Sequence, residues 1–505
     1  MAEARHVAAV DLGAGSGRVV LGRLTGERVE LEVVHRFENR PLWLPDGLHW
    51  NLPALFEETL RGLAAAADTA TAALQSVGID GWGCDYGLLD GHGRMLGLPY
   101  HYRDVRTSED VLTGTHALVS REELYRRIGI QTMPINTIFQ LRSEAQGAAI
   151  SVAERIALIP DLFATWLTGT LANELTAAST TGLLDATTGS WAVDLIARLR
   201  LPIRPFSGEL VAPGVVLGPV LGAHAAAAGA VGAPVHAVAG HDTACAFAAA
   251  PISGSGRAIL SSGTWSLLGL ELDEPCLTPE AGEANFTNER GIGGTIRLLR
   301  NVMGLWLVDE CRRAWARSGE DLGAADLYER ASDLGGDVAL FDPDHGSLLR
   351  AGEDMPQRIA ALCIAAGQAA PGDRRELVRS ILMSLACKYR LVLAQLETVT
   401  ERHVEVIHVV GGGARNRLLC QLTADLCQRD VMAGPAEATA LGNVLVQGMA
   451  LGELADLREL RELVAASTSL TTFAPTMAAQ AAEETYQRFL EVSGVGTAQP
   501  VRTTA

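Results

Sequence analysis

Lysine is almost absent from this chain of 505 residues, because Lys388 is the only one. A P-loop nucleotide site needs a phosphate-binding lysine after its glycines, and a Schiff-base enzyme needs one in its pocket. Lys388 falls in the middle of a predicted helix, at the edge of its apolar stripe, so we expect its ammonium group to reach water. Any nucleoside triphosphate must therefore be held by backbone N–H groups, hydroxyls, arginine and a metal ion.

Paired cysteines, basic stretches and long apolar runs are also missing. The eight cysteines are dispersed without C-x-x-C spacing, which argues against a zinc site or a disulfide framework. A formal net charge of −18 disfavours nucleic acid and anionic membrane as partners. The apolar run near the start of the chain is broken by Asp11, so we expect neither a signal peptide nor a membrane anchor. These absences together predict a cytoplasmic protein with reduced thiols.

The overall composition, 48% hydrophobic and 20% charged, is typical of a globular protein, and the length of 505 residues indicates two or three domains. A faint internal repeat refines this expectation. Residues 6–24 and 256–272 both read as a strand, a turn rich in Gly, Ser or Thr, and a second strand. Two similar hairpins indicate two related α/β domains that face each other across a cleft. We place them at residues 1–245 and 246–505.

The turn of the first hairpin, Ala14 to Arg18, has the composition of a phosphate cradle. Its glycines let backbone amides point inward without a Cβ in the way. Asp11 ends the incoming strand and could hold a hydrated magnesium ion. The spacing G-x-G-x-G and the following strand argue against a Rossmann fingerprint, whereas an ordinary glycine-rich hairpin remains an alternative. In the second hairpin, Thr264 and its neighbours offer hydroxyls and amides to phosphate, or simply form a turn.

A strand-to-helix turn at Gly240 to Thr243 presents the acid on which our functional hypothesis depends. A short apolar strand ends at Gly240, and a helix of small residues follows Thr243. Asp242 thus lies at a helix N-terminus, where the dipole keeps a carboxylate ionised and able to accept a proton from a substrate hydroxyl. The alternative is that Asp242 or Thr243 only caps the helix.

Two further segments could line a ligand site. The strand from Ser76 to Asp90 is interrupted by several glycines, which favours a wall approached by a ligand at Trp82, Gly83 and Asp85; a bulged core strand is the alternative. A helix is predicted from about Val302, so Asn301 either caps it or donates to a ligand.

The strongest predicted helix runs from Asp373 to Leu396, opened by a capping-box pair and carrying one apolar stripe. After it, a buried strand leads into the three glycines Gly411 to Gly413 and then a helix near Asn416. Consecutive glycines at a helix start allow a flat ring to lie against the backbone.

Taken together, these stretches resemble the FGGY family of carbohydrate kinases, whose members have the actin-like, ribonuclease H-like fold. The resemblance runs from about residue 6 to residue 475 and is specific because the motifs keep their order and spacing. The motifs are D-L-G-A-G-S-G-R from Asp11, G-I-D-G-W-G-C-D from Gly78, Y-R-D-V-R from Tyr102, G-H-D-T-A from Gly240, S-S-G-T-W-S-L-L-G from Ser261, N-V-M-G-L-W-L from Asn301 and V-V-G-G-G-A-R-N from Val409.

Within this family the likeness is greatest to the rhamnulokinases, which implies transfer of phosphate from ATP, with Mg²⁺, to L-rhamnulose to give L-rhamnulose 1-phosphate. Carried over by position, the resemblance implies a catalytic base at Asp242, sugar contacts at Gly83, His241, Asp242, Thr243 and Asn301, phosphate contacts at Ala14, Gly15, Ser16, Gly17, Arg18 and Thr264, and adenosine against Gly412. Two positions depart from the family pattern. Cys84 stands where a branched aliphatic residue is expected, and Asp309 stands where a glutamine usually contacts nucleotide.

Other functions stay open at this point. The sugar could be another ketose such as fuculose, ribulose or xylulose, because the sugar wall is the least certain part of the pattern. The chain could also be a non-catalytic ATP-binding or sugar-sensing protein of the same fold, or a filament- or chaperone-type ATPase. The sequence leaves the oligomeric state open between monomer and homodimer.

Overall fold

The computed structural model describes residues 4–320, 322–349 and 354–495, and these form an α/β fold. The strands of the described residues are numbered in chain order. They are β1 (Arg5–Leu12), β2 (Ser16–Leu24), β3 (Val29–Glu38), β4 (Leu42–Leu44), β5 (Gly47–His49), β6 (Ser76–Gly81), β7 (Tyr86–Leu89), β8 (Arg155–Leu158), β9 (Asn173–Glu174), β10 (Leu210–Val211), β11 (Val216–Pro219), β12 (Pro234–His236), β13 (Arg257–Ser262), β14 (Trp265–Leu272), β15 (Thr287–Arg290), β16 (Ile296–Met303), β17 (Val406–Val410), β18 (Asp430–Ala433) and β19 (Thr471–Phe473).

The α-helices follow the same numbering. They are α1 (Leu52–Thr69), α2 (Glu109–His116), α3 (Arg121–Ile128), α4 (Thr137–Ser143), α5 (Ala148–Val152), α6 (Ile159–Thr168), α7 (Leu175–Ala178), α8 (Val193–Arg198), α9 (Gly222–Ala227), α10 (Asp242–Ala248), α11 (Pro279–Glu283), α12 (Trp306–Arg317), α13 (Ala324–Ser332), α14 (Met355–Ala365), α15 (Arg374–Thr400), α16 (Arg417–Cys427), α17 (Ala438–Ala450), α18 (Leu457–Ser467) and α19 (Ala479–Ser493). Among the described residues, none of these helices is both long and apolar enough to cross a membrane.

The chain divides into two compact units, neither of which is continuous in sequence. Among the described residues, the first comprises 4–252, 270–300 and 437–469, and the second comprises 253–269, 301–320, 322–349, 354–436 and 470–495. The segments 270–300 and 437–469 thus belong to the first unit, although they follow the domain boundary that we place after residue 245. They bring β15, most of β16, α17 and α18 to the first unit.

The first unit is built on a six-stranded sheet in the order β11, β12, β6, β1, β2, β3. Strand β1 is antiparallel to β2, as predicted for the first hairpin, and parallel to β6. From His6 onward β1 is buried, which is typical of a strand covered on both faces. Because β1 and β6 are parallel and in register, Asp11 and Asp80 lie side by side at the same sheet edge.

The second unit contains a sheet in which β14, β13, β17, β18 and β19 are neighbours in that order. Strand β13 is antiparallel to β14, which confirms the second predicted hairpin, and parallel to β17. Helix α15 begins at the predicted cap: the Asp373 side chain accepts from the Arg375 and Glu376 amides, and Glu376 Oε2 accepts from Gly372 N at 2.8 Å. The bond from the Glu376 amide to Asp373 is that of a capping box, whereas the return bond from Glu376 goes to Gly372, one residue before the cap.

Two predictions for this unit are wrong. Asn301 lies on strand β16 and caps no helix, because the strand continues to Met303 and α12 begins only at Trp306. The ammonium group of Lys388 does not reach water: the side chain is 1% exposed, and Nζ lies 2.7 Å from Asp342 Oδ1 and 3.1 Å from Asp344 Oδ2. A charge removed from water needs such partners, and these two carboxylates supply them.

Helices α10 and α17 of the first unit pack in direct contact at Gly442. A Cβ atom built at Gly442 would lie 2.0 Å from the carbonyl oxygen of Cys245 on α10. Only glycine permits this approach, since the obstacle is backbone and cannot rotate away. The spacing of α17 from α10, the helix that starts at Asp242, is therefore fixed by the missing side chain.

Replacing Gly442 with alanine should destabilise the first unit by about 3 kcal/mol, because the methyl group forces two backbones apart. Chemical denaturation monitored by tryptophan fluorescence measures this change. The control is Gly114→Ala on α2, where an added Cβ meets nothing within 4 Å and should be neutral or slightly stabilising. Equal denaturation midpoints for Gly442→Ala and wild type would show that α10 and α17 can separate without loss of stability.

Candidate active site

The carboxylate of Asp242 opens helix α10 and remains accessible. Its side chain is 30% exposed, and Thr243 Oγ1 donates to Oδ1 at 3.0 Å. Burial raises the pKa of Asp242 and Asp11 adds to this, while His241 and Thr243 act in the opposite direction. From the sequence we expect the helix N-terminus to keep Asp242 ionised, whereas in the structure burial and the neighbouring acid raise its pKa. The result is a more basic carboxylate, which is better suited to accept a proton.

Two side chains outside α10 hold the turn in front of Asp242. Glu174 is almost fully buried and accepts from the backbone N–H of Gly240 at 2.8 Å. The hydroxyl of Thr176 accepts from the backbone N–H of His241 at 3.2 Å. Glu174 also accepts from the backbone amides of Thr176 and Ala177. The strand-to-helix turn is thus fixed to the start of α7 through one buried carboxylate.

A second acid, Asp80, lies next to Asp11 and is completely buried. Asn443 on α17 donates to Asp80 Oδ2 at 2.6 Å, and Gln447 donates to Asn443 Oδ1 at 2.7 Å. Burial and the nearby charge of Asp11 raise the pKa of Asp80 well above its ordinary value. Asp11 thus raises the pKa of both Asp80 and Asp242, and a cation bound at Asp11 would relieve that repulsion.

Arg18, which the resemblance places at the phosphates, bridges two acids. Its guanidinium donates to Asp11 Oδ2, with Nε at 2.8 Å and the NH2 nitrogen at 2.6 Å, and it also contacts Glu437. Burial acts to lower the pKa of Arg18, but Asp11 and Glu437 outweigh it and raise that pKa. The arginine is therefore held in place at the mouth of the turn as a permanent cation.

The glycine-rich turn between β1 and β2 is anchored from one side by Asn39. The Asn39 side chain donates to the carbonyl of Gly13 at 3.0 Å, and its backbone N–H donates to the carbonyl of Gly15 at 3.3 Å. In a trans peptide the C=O and the following N–H point in opposite directions. Anchoring the Gly13 carbonyl therefore turns the N–H of Ala14 away from Asn39. Gly15 and Ser16 are exposed, Ala14 and Arg18 are half-buried, and Gly17 is buried.

A magnesium site at Asp11 fits these residues only in part. The described residues contain no group of three or more His, Cys, Asp or Glu side chains placed to hold a metal ion. Mg²⁺ typically takes one or two carboxylates and fills its other positions with water and substrate phosphates. Asp11, beside a second carboxylate and a turn with exposed amides, has the donor chemistry for that kind of site.

The segment from Trp82 to Asp85 is held by hydrogen bonds from both sides. Asp85 is fully buried and accepts from Trp50 Nε1 at 2.5 Å, Trp82 Nε1 at 3.0 Å and Gln140 Nε2 at 2.8 Å. The side chains of Trp82 and Asp85 thus belong to the core, in agreement with the alternative interpretation of this segment. Gly83 is half-buried, and a Cβ there would lie 3.0 Å from the side chain of Thr180.

Cys84, the residue that departs from the family pattern, has a backbone φ of 74°. This left-handed conformation is especially unfavourable for a branched aliphatic residue. Thr180 Oγ1 accepts from the Cys84 amide at 3.1 Å, and Thr137 Oγ1 donates to its carbonyl at 2.6 Å. The strained conformation is therefore secured by two threonines next to Gly83.

Burial raises the pKa of Asp85 to about 6, against hydrogen bonds from Gln140, Trp50 and Trp82 that lower it. The native state therefore holds this proton to a higher pH than the unfolded chain, and the stability contributed by Asp85 falls as pH rises from about 4 to about 6. The shift of roughly two units corresponds to about 3 kcal/mol. The difference in unfolding free energy between wild type and Asp85→Asn, measured by denaturation at several pH values, should fall by this amount. A difference that stays constant across that range would refute this expectation.

In the second unit, the turn between β13 and β14 is braced by the segment that precedes α12. The backbone N–H of Leu305 donates to the carbonyl of Gly263 at 2.9 Å, and that of Trp306 lies 3.4 Å from the carbonyl of Thr264. Since both carbonyls face this segment, the hydroxyl and amide of Thr264 are carried on a fixed turn. The turn therefore has the rigidity needed to bind phosphate.

A cavity of about 840 Å³ opens beside Gly412 in the second unit. This volume is within the range of small-molecule and cofactor sites. Helix α16 begins here, with the Asn416 side chain accepting from the Leu419 amide at 3.0 Å. Residues that line the cavity include Leu305, Tyr328, Gly412, Asn416, Arg417 and Phe473. The predicted flat-ring site at the three glycines thus coincides with a cavity of suitable size.

The structure therefore groups the candidate residues by unit. Asp11, the turn at 14–18, Gly83, His241, Asp242 and Thr243 belong to the first unit, whereas Thr264, Asn301 and Gly412 belong to the second. Asp309, on α12 of the second unit, pairs with Arg312 at 3.2 Å. Candidate residues are also held by contacts from distant segments, made by Asn39, Glu174, Glu289, Arg297 and Glu437. Nothing local in the sequence marks them.

Comparison with known proteins identifies the family. The N-terminal domain of the FGGY family of carbohydrate kinases matches residues 6–248, and its C-terminal domain matches residues 258–451. A rhamnulokinase of Bacteroides thetaiotaomicron is 39% identical over 92% of this chain and 95% of its own, and one of Pectobacterium carotovorum is 41% identical over 93% of each.

Solved structures of the same fold cover nearly the whole chain. A gluconate kinase from Lactobacillus acidophilus superimposes with a TM-score of 0.77 at 15% identity, covering 97% of this chain and 98% of its own. A Plasmodium falciparum glycerol kinase with ADP gives a TM-score of 0.75 at 15% identity, covering 96% and 97%. With both family domains present in order, the chain belongs to the FGGY family of carbohydrate kinases.

Proposed function

We propose that the protein transfers the γ-phosphate of ATP to the 1-hydroxyl of L-rhamnulose, giving L-rhamnulose 1-phosphate and ADP. The choice of sugar is supported by relatives named rhamnulokinase that are 39–41% identical along more than nine-tenths of the chain. The observation that carries the reaction class is the accessible carboxylate of Asp242, braced at a helix start beside two further acids.

The reaction first requires that a proton be removed from the sugar hydroxyl. Asp242 accepts this proton as the oxygen attacks, a contribution of about 10²- to 10⁴-fold for a positioned base. The raised pKa of Asp242 supports this role, because a more basic carboxylate is a stronger proton acceptor at neutral pH. Gly83, His241, Thr243 and Asn301 are the residues proposed to contact the sugar.

The reaction also requires positive charge and hydrogen-bond donors around the phosphates. The turn from Ala14 to Arg18 offers backbone amides and the guanidinium of Arg18, and Thr264 offers a hydroxyl on a second turn. Asp11 is the carboxylate proposed to hold Mg²⁺, which when bound neutralises phosphate charge. Adenosine is proposed to lie against Gly412, in the cavity of the second unit.

We propose that the two predicted domains bind different parts of the substrates. Residues 1–245 supply the sugar wall and the first phosphate turn, and residues 246–505 supply the nucleotide site. We place the reaction in the cytoplasm, which is supported by eight cysteines that are all free thiols.

A substrate panel with coupled detection of ADP tests this proposal. The assay compares L-rhamnulose with L-fuculose, L-ribulose and D-xylulose at equal concentrations, with Mg²⁺ and ATP present. We expect the highest kcat/KM for L-rhamnulose and a 1-phosphate product. A higher value for another ketose would contradict the substrate, and ADP release that does not depend on added sugar would contradict the kinase.

A further inference from the structure

Arg297 is a buried cation that the reaction described above does not use. It lies on β16 with 0% side-chain exposure, directly opposite Glu289 on β15. Its Nε donates to the carbonyl of Arg290 at 3.0 Å, and its NH2 nitrogen lies 3.1 Å from Glu289 Oε2. The buried charge is therefore balanced by a carboxylate on the neighbouring strand.

The same NH2 nitrogen of Arg297 also reaches His241, at 3.2 Å from Nδ1. A guanidinium only donates hydrogen bonds and keeps its protons in proteins. A hydrogen bond between the two groups therefore requires Nδ1 to accept, and a neutral imidazole that accepts at Nδ1 carries its proton at Nε2. In this geometry, Nε2 of His241 lies 3.4 Å from Asp242 Oδ1.

The other protonation states of His241 fit less well. With the proton on Nδ1, that N–H could face Glu289 Oε2 at 3.2 Å, but it would oppose the Arg297 donor, and the Nε2 lone pair would face the Asp242 carboxylate. A doubly protonated ring would face the carboxylates of Glu289 and Asp242, but it would put a second cation 3.2 Å from the buried guanidinium and leave Nδ1 unable to accept from Arg297. The Nε2–H tautomer leaves only the contact between Nδ1 and Glu289 unfavourable.

We propose that Arg297 is a positioning residue that selects the Nε2–H tautomer of His241 and thereby orients the carboxylate of Asp242. His241 Nε2 and Thr243 Oγ1 both approach Oδ1 of Asp242, at 3.4 Å and 3.0 Å. This leaves Oδ2 as the oxygen that receives the proton of the sugar hydroxyl. A neutral donor also orients the base without the full charge that would make it less basic. The inference rests on the kinase function proposed above.

The tautomer is measured directly by ¹⁵N NMR of histidine-labelled enzyme at neutral pH, with His241→Gln used to assign the signal. We expect a neutral ring protonated at Nε2. A ring protonated at Nδ1, or an imidazolium, overturns the proposal. Because this measurement needs no substrate, it tests the proposal even if the protein phosphorylates a different sugar.

The kinetic test removes the cation and its counter-charge together, since a lone buried charge would threaten folding. The variant Arg297→Met/Glu289→Gln should lower kcat by about 10- to 100-fold, as expected when a base loses its orientation. KM for sugar and for ATP should change by less than about threefold. The variant Arg297→Gln/Glu289→Gln keeps a neutral donor at residue 297 and should recover part of kcat.

A second ion pair on the same unit, largely but not fully buried, provides the control. Arg461 NH1 lies 2.8 Å from Glu271 Oε2, and Arg461 NH2 donates to the carbonyl of Phe247 near the end of α10. The variant Arg461→Met/Glu271→Gln should keep kcat within about twofold of wild type, because this pair does not contact His241. Wild-type kcat in a folded Arg297→Met/Glu289→Gln variant, or equal losses in both pairs of variants, overturns the proposal.

Discussion

Replacing Asp242 with asparagine is expected to lower kcat for sugar phosphorylation by about 10²- to 10⁴-fold, the range for loss of a positioned general base. Asparagine has nearly the same shape and can still accept from Thr243 Oγ1, so the turn at Gly240 should keep its structure. KM for sugar and ATP should therefore change little, which steady-state kinetics with coupled ADP detection will show.

The control for this substitution is Asp373→Asn at the start of α15. Asp373 accepts from two backbone amides of its helix, and asparagine serves equally well as an N-cap. Its kcat should stay within about twofold of wild type. If Asp242→Asn binds both substrates and keeps wild-type turnover, Asp242 is a cap and not the base.

Replacing Asp11 with asparagine is expected to raise the Mg²⁺ concentration needed for half-maximal activity by about 10- to 100-fold, because a carboxylate is a far better ligand for a hard cation than an amide. The change also removes one of the two acids that hold Arg18. Activity measured over a Mg²⁺ titration should recover in part at high Mg²⁺, since the phosphates and water supply the remaining ligands.

The matched control is Glu437→Gln, which removes the other acid from the same guanidinium. It should disturb Arg18 to a similar degree without a change in the Mg²⁺ requirement. An equal shift in both variants would show that the Mg²⁺ dependence is caused by the loss of Arg18 positioning, and Asp11 would then not be a metal ligand.

Features that depend on residues close in sequence can be predicted from this chain. The hairpins at residues 6–24 and 256–272 follow from apolar strands around short Gly, Ser or Thr turns, and both are confirmed. The N-caps at Asp373 and Asn416 are side chains that act within one helical turn, so the starts of these two helices are visible in the sequence.

Features that depend on contacts between distant segments cannot be predicted from the local sequence. The apolar run around Asn301 is compatible with a strand or a helix, and it continues strand β16, whose residues 296–299 pair with β15. Arg297 and Glu289 carry no motif, and their connection to His241 exists only after two strands and a helix start are brought together. The acid next to Asp11 likewise emerges from the register between β1 and β6, which no single stretch of sequence contains.

The buried ion pair of Lys388 has a consequence for chemical modification. Acylating reagents and amine-directed crosslinkers attack an unprotonated, accessible amine, and the one side-chain amine of this chain is 1% exposed and paired with two aspartates. Every other basic side chain of the Lys and Arg class is a guanidinium, which holds its charge at all physiological pH values. The folded enzyme should therefore resist acetylation of its side chains, and its surface cations cannot be switched off by that modification.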